Sequence, residues 1–168
     1  MISRAFAAAI LLALAVWADS ASGVQWTPPS SWTPQGPRPM RAATYSVPAA
    51  AGDKEDAECI VNYFGPGQGG PVDANIKRWI GQMEGGEKNA KTAKRTIHGL
   101  TVTTVDTTGT YGGMAGPMSH GASKPNSRLL GAIVEAPQGS VFFKFTGPAK
   151  TVAANQSKFE AMLNSMTH

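Results

Sequence analysis

The chain has 168 residues, enough for one domain with a sizeable core, and its 15 Lys+Arg against 11 Asp+Glu give a net charge of +4. That excess is small and spread along the chain, which argues against nucleic acid as a partner. The single cysteine, Cys59, excludes an internal disulfide, so the fold must rest on its hydrophobic core.

The N-terminus has the layout of a secretory signal. Arg4 supplies a short cationic region, Ala5 to Trp17 is a continuous apolar run, and Ala18 to Gly23 are small residues apart from Asp19. The run is shorter than the roughly 20 residues of a membrane-spanning helix. Residues 1–23 are therefore expected to form a signal peptide, with cleavage after Gly23 preferred and Ser20 or Ala21 as alternatives. The protein is then secreted or periplasmic. Losing 1–23 removes Arg4 and Asp19, one charge of each sign, so +4 survives. Residues 24–168 are read as a single α+β domain.

Val24–Pro39, with Trp26, Trp32 and five prolines, cannot be helical and prefers extended backbone. It is expected to lie as an arm along the domain, held by its tryptophans. Met40–Val47 and Glu58–Phe64 read as strands. In the second, Ile60, Asn62 and Phe64 share one face and Cys59, Val61 and Tyr63 the other; the weak polarity contrast suggests that both faces are covered.

Gly65 to Pro71 (GPGQGGP) breaks that strand and opens a helix. Its stripe is Val72, Ile76, Trp79, Ile80 and Met83, with Gly85-Gly86 as the stop. Trp79 is expected against the sheet. Lys94–Ile97 and Leu100–Thr108 form a hairpin closed by His98-Gly99, and Leu129–Glu135 and Val141–Phe145 form another. Between them, Thr108 to Ser127 reads as a long irregular stretch. Gly147-Pro148 opens the last helix, whose stripe is Val152, Phe159, Met162, Leu163 and Met166. The order β-β-α-β-β-β-β-α with tight turns predicts a mainly antiparallel sheet of about six strands and two amphipathic helices.

The Trp-containing opening, the strand and GPGQGG loop before a helix bearing Arg78-Trp79-Ile80-Gly81-Gln82, and the VFFKFTGP segment before the last helix resemble a group of uncharacterised exported bacterial proteins. Their layout is similar to the PsbP-like α/β/α sandwich. The resemblance covers most of the mature chain. It implies that fold and a non-enzymatic binding or accessory role, and it brings no catalytic residues onto this chain.

Several residue groups are candidate sites. Gly67, Gln68, Gly69 and Gly70, before a helix N-terminus, could hold an anion through backbone N–H groups. No Gly-Lys-Ser/Thr follows, and a tight turn needing positive φ is the plainer reading. Tyr111 is a contact candidate in the irregular stretch. Met114, Met118 and His120 are soft ligands of a type suited to Cu(I), although the set is short of a full complement. Cys59 with His98 or His120 is a minimal nucleophile–base pair, against the commoner reading of a buried small apolar cysteine. Asp106 and Glu135 are carboxylates without a spacing rule to join them. Lys88, Lys91, Lys94 and Arg95 form a basic run that suits peripheral contact with an anionic surface or simply a solvated face. No cofactor is expected. The leading reading is an exported binding or accessory protein for an unknown protein or small-molecule partner. It would use a cleft rimmed by the Gly65–Pro71 and Gly109–Ser127 loops. The rival is a small Cu(I)-handling protein or hydrolase.

Overall fold

The computed structural model describes residues 18–112 and 123–168. The described residues open with a hairpin, β1 (Asp19–Ala21) and β2 (Val24–Trp26), followed by β3 (Thr33–Pro34), β4 (Arg41–Val47) and β5 (Ala57–Tyr63). Helix α1 (Val72–Gly81) leads through β6 (Met83–Glu84) and a 3-10 turn (Gly86–Lys88) to β7 (Lys91–Ile97) and β8 (Leu100–Tyr111). The chain ends with β9 (Lys124–Glu135), β10 (Val141–Pro148) and α2 (Ala149–Asn164). The main sheet runs β3-β4-β5-β10-β9-β8, with β6 and β7 both pairing with β8, and its pairings are antiparallel.

The sheet is buried on both faces because its central strands are apolar at odd and even positions alike. On β9 and β10, Leu130, Ala132, Val134, Val141, Phe143 and Phe145 join Val152, Phe159, Met162 and Leu163 of α2 in one core. Leu129, Ile133 and Phe142 point the other way and meet Ile76 and Trp79 of α1. Three layers result, helix on sheet on helix. Trp79 packs where expected, 4% exposed, and its ring occupies the space above Gly131. A Cβ there would stand 2.5 Å from the Trp79 ring.

The arm is part of the α2-side core. Trp26 and Trp32 are 1% and 3% exposed, and the Trp32 ring lies 5.0 Å from that of Phe145. Each indole N–H has a buried acceptor: Trp26 Nε1 donates to Tyr45 Oη at 2.9 Å, and Trp32 Nε1 to Asn155 Oδ1 at 3.2 Å. The His98-Gly99 turn forms as expected, with φ of 45° and 85°.

Three elements differ from expectation. Helix α1 stops at Gly81, and Met83 leaves the helical stripe to pair with Tyr111 while staying in the α1-side core. The two ends of the stretch expected to be irregular from Thr108 to Ser127 are strand: β8 runs on to Tyr111 and β9 starts at Lys124, and the two pair from Thr101↔Glu135 to Tyr111↔Lys124, with a bulge between Gly109 and Tyr111. Pro125 and Asn126 disfavour regular strand and fall in that bulge, Asn126 with a φ of 51°, while pairing resumes beyond them at Tyr111↔Lys124. The strand count exceeds six because short edge strands and the β1–β2 hairpin add to the core pattern.

Candidate binding cleft

Among the described residues, helix α1 covers only part of its face of the sheet. Beyond its C-terminal end, the α1-side positions of β5 and β10 include Glu58, Ile60, Lys144 and Thr146, placed by the register Lys144↔Ile60 and Thr146↔Glu58. Glu58, Ile60 and Thr146 floor a cleft of about 600 Å³, walled by Lys54, Glu55 and Asp56 on one side and Tyr111, Lys124 and Ser127 on the other.

Both walls are held by identifiable bonds. The loop before β5 is pinned where Asp53 reaches α2. Its carboxylate accepts the Thr151 backbone N–H at 3.0 Å and the Thr151 hydroxyl at 2.6 Å, so it caps a helix start that Pro148 leaves without a side-chain cap. Asp56 accepts from Ala49 N and Ser46 Oγ, each at 3.0 Å. The opposite wall is the Tyr111↔Lys124 end of the β8–β9 ladder. An ion pair, Lys124 Nζ to Glu55 Oε2 at 2.6 Å, joins the walls. Both side chains are more than half exposed, so the pair contributes little stability and can open at little cost.

Behind the floor sits Lys144. Its Nζ donates to Gln82 Oε1 at 2.6 Å and to Tyr111 Oη at 3.2 Å. Among the described residues no carboxylate lies within ion-pair distance of it. Burial pushes its pKa down to about 8, Arg78 and Arg41 push the same way, and Glu58 opposes them. Burial raises the Tyr111 phenol, which keeps its proton. Because Tyr111 Oη already accepts from Lys144, its own O–H is left to donate. The cleft wall thus carries a hydrogen-bond donor that an adjacent ammonium polarises.

Of the residues singled out in the sequence, Tyr111 belongs to this cleft. Gly67, Gln68, Gly69 and Gly70 do not: they stand at the N-terminal end of α1, and Tyr111 lies beside Gln82 at the other end. Among the described residues, the Gly65–Pro71 loop and the Gly109–Tyr111 and Lys124–Ser127 ends of the second segment thus stand at opposite ends of α1, and the rest of that segment lies outside the described residues. The register explains this, since β5 runs into the glycine loop at Tyr63, which pairs with Val141, while Lys124 lies at the opposite end of the β9–β10 ladder.

The glycine loop is a turn filled from within. Gly67, Gly69 and Gly70 have φ of 67°, 92° and 78°, and a Cβ on Gly69 would come within 2.7 Å of the Phe142 ring. The Asn75 amide donates to the carbonyls of Gly69 and Pro71 at 2.7 and 2.9 Å and so ties the loop to the helix it precedes.

The remaining candidates are dispersed. Cys59 is fully buried on the α2 side and burial raises its thiol, while His98 Nδ1 lies 2.7 Å from the Met166 carbonyl oxygen at a distant turn. Asp106 is held by Arg128 at 2.9 and 2.8 Å, and Glu135 faces Lys94 at 3.9 Å, so these carboxylates serve different ion pairs. In the basic run, Lys94 and Arg95 have acidic partners in Glu135 and Glu160. Met114, Met118 and His120 lie outside the described residues. Gln82 and Lys144 stand in the segments that carry the resemblance but belong to no site motif. A lysine inside the apolar run Val141–Phe145 was nonetheless a signal, because a charge in a strand covered on both faces needs a reason.

No protein-family model matches the chain, and no curated protein matches it. Among solved structures, the chain is similar to the solution structure of cyanobacterial PsbP (CyanoP) from Synechocystis sp. PCC 6803. The identity is 13%, with 90% of this chain and 89% of that one covered and a TM-score of 0.52. A Pseudomonas aeruginosa protein of unknown function matches at 14% identity and a TM-score of 0.48, over 90% of this chain and 96% of that one. The two-helix, three-layer architecture and the CyanoP match agree with the resemblance seen in the sequence: the fold of this chain is PsbP-like.

Proposed function

We propose that the protein acts outside the cytoplasm as a binding or accessory protein, without chemistry of its own, and that it seats its ligand in the cleft beyond the end of α1. One observation carries the reading. Among the described residues, the part of the sheet face beyond α1 combines a floor in which Ile60 lies between Glu58 and Thr146 with a positioned donor, Tyr111 Oη, backed by a largely buried lysine. Pockets that bind small molecules are built in this way, from apolar walls and a few fixed polar groups. A ligand with an acceptor group, such as a carboxylate or carbonyl, would meet the Tyr111 donor while its apolar part covers Ile60. The signal-like N-terminus supports export, and the PsbP-like fold is in keeping with an accessory role. No helix among the described residues is long and apolar enough to cross a membrane.

The test is native mass spectrometry of the protein purified from its exported fraction, beside an Ile60→Trp variant that fills the cleft. The parent should carry a non-covalent mass that denaturation releases, and the variant should lose it while melting as the parent does. Equal occupancy of both proteins would place the ligand elsewhere.

A further inference from the structure

We propose that the signal peptide is removed between Ala18 and Asp19, so that the mature protein begins at Asp19 and keeps strand β1. The proposal rests on the export reading and concerns where processing falls. Residues 19–23 are built into the fold. β1 pairs with β2 at Asp19↔Trp26, Ser20↔Gln25 and Ala21↔Val24 across the two-residue turn Ser22-Gly23. Both turn residues have positive φ, 56° and 76°, the backbone of a tight hairpin that matches strand twist.

The side chains are used as well. The Asp19 carboxylate accepts the Tyr45 hydroxyl, and that oxygen accepts the Trp26 indole N–H, so the chain Trp26–Tyr45–Asp19 ends on the first strand. Trp26 and Tyr45 are 1% and 0% exposed. Ser22 is 7% exposed and its Oγ donates to the Gly139 carbonyl at 2.6 Å, which ties the hairpin to the β9–β10 turn.

A cut after Ser20, Ala21 or Gly23 would discard Asp19 in every case. It would take from the Tyr45 O–H, at the edge of the core, the carboxylate acceptor that ends the Trp26–Tyr45 chain, and would remove the strand that covers it. The cut after Ala18 avoids this and suits the peptidase. The apolar run ends at Trp17, Ala18 stands before the scissile bond, and the compact Val16 stands two residues further back, an arrangement of the A-x-A type. Hydrolysis of the Ala18–Asp19 amide consumes one water. The hydroxyl goes to the Ala18 carbonyl carbon, which becomes a carboxylate, and the Asp19 nitrogen leaves as the new α-ammonium.

The experiment is intact-mass measurement, with sequencing of the N-terminal peptide, on the protein recovered from the exported fraction. The expected species spans residues 19–168. An exported chain beginning at Ala21, Ser22 or Val24 overturns the proposed position and leaves the export reading standing. A full-length chain retained in the cytoplasm overturns the export reading, and this proposal with it. A second measurement compares purified 19–168 with 24–168. The shorter chain should melt several degrees lower or fail to fold, and coincident melts would show that β1 is dispensable and overturn the proposal.

Discussion

Lys144 is the residue whose chemistry most needs an explanation. Its side chain is largely withdrawn from water, its polar partners are the neutral Gln82 and Tyr111, and its pKa falls to about 8. Unfolded, the same amine titrates near the ordinary 10.5. Between those values the unfolded chain holds a proton that the folded chain lacks, so stability rises with pH from about 8 towards 10.5. Below 8 the cost of the buried charge is fully present. Lys144→Met removes that cost, so the variant should compare best with the parent at pH 7. Its standing relative to the parent should fall by up to about 3 kcal/mol as the pH approaches 10, since one proton is worth about 1.36 kcal/mol for each pH unit crossed. Urea melts of both proteins at pH 7 and pH 10 measure this, and a difference that does not move would show that the amine is solvated. The same burial explains why the site was only partly legible. Tyr111 could be picked out as an exposed-type aromatic in a glycine-rich stretch. The roles of Gln82, Ile60 and Thr146 depend on which strands are neighbours, and no local spacing encodes that.

Among the elements, those with a strong period were legible and those set by long-range pairing were not. The α1 and α2 stripes placed Trp79, Phe159, Met162 and Leu163 in the core correctly, because a 3.6-residue period survives whatever the helix packs against. The far ends of β8 and β9 were hidden because Gly109, Pro125 and Asn126 read locally as turn residues. Two expectations follow. Trp79→Ala should cost about 3–5 kcal/mol, the range for losing an aromatic side chain from a core. Gly131→Ala, which drives a methyl group into the same ring, should cost about 1–3 kcal/mol by overpacking; chemical denaturation of the two variants tests both sides of the α1 contact, and parent-like midpoints would mean the helix is loosely seated. The second expectation concerns the β8–β9 connection. Deleting residues 113–122 joins Gly112 to Ser123 as a two-residue Gly-Ser turn between Tyr111 and Lys124, a sequence suited to a tight hairpin. Stability should stay within about 1 kcal/mol of the parent, since closing a shorter loop is no more costly. A larger loss in a thermal melt would show that the deleted residues pack against the domain.

At the scale of the whole molecule, two helices of unequal length cover a sheet that is apolar on both sides. The 16-residue α2, helped by the Trp26–Trp32 arm, closes one face. Among the described residues, the 10-residue α1 stops short on the other, and the remainder is where the Lys144 ammonium, the Tyr111 phenol and the Glu58–Ile60–Thr146 floor meet. The fold could be inferred from the order of the elements and from the GPGQGG and VFFKFTGP segments, since tight turns force antiparallel neighbours. The cleft could not, because it arises from the length of α1 relative to the sheet. The central claim is that this open part of the sheet is the functional surface, and NMR amide-shift mapping of a small-fragment library tests it most directly. Hits should cluster at Glu58, Ile60, Tyr111, Lys124 and Thr146, and acidic fragments should move the Lys144 titration upward from about 8. Hits confined to the groove between Pro28–Ser31 and Ala161 of α2, with Lys144 unmoved, would contradict the account.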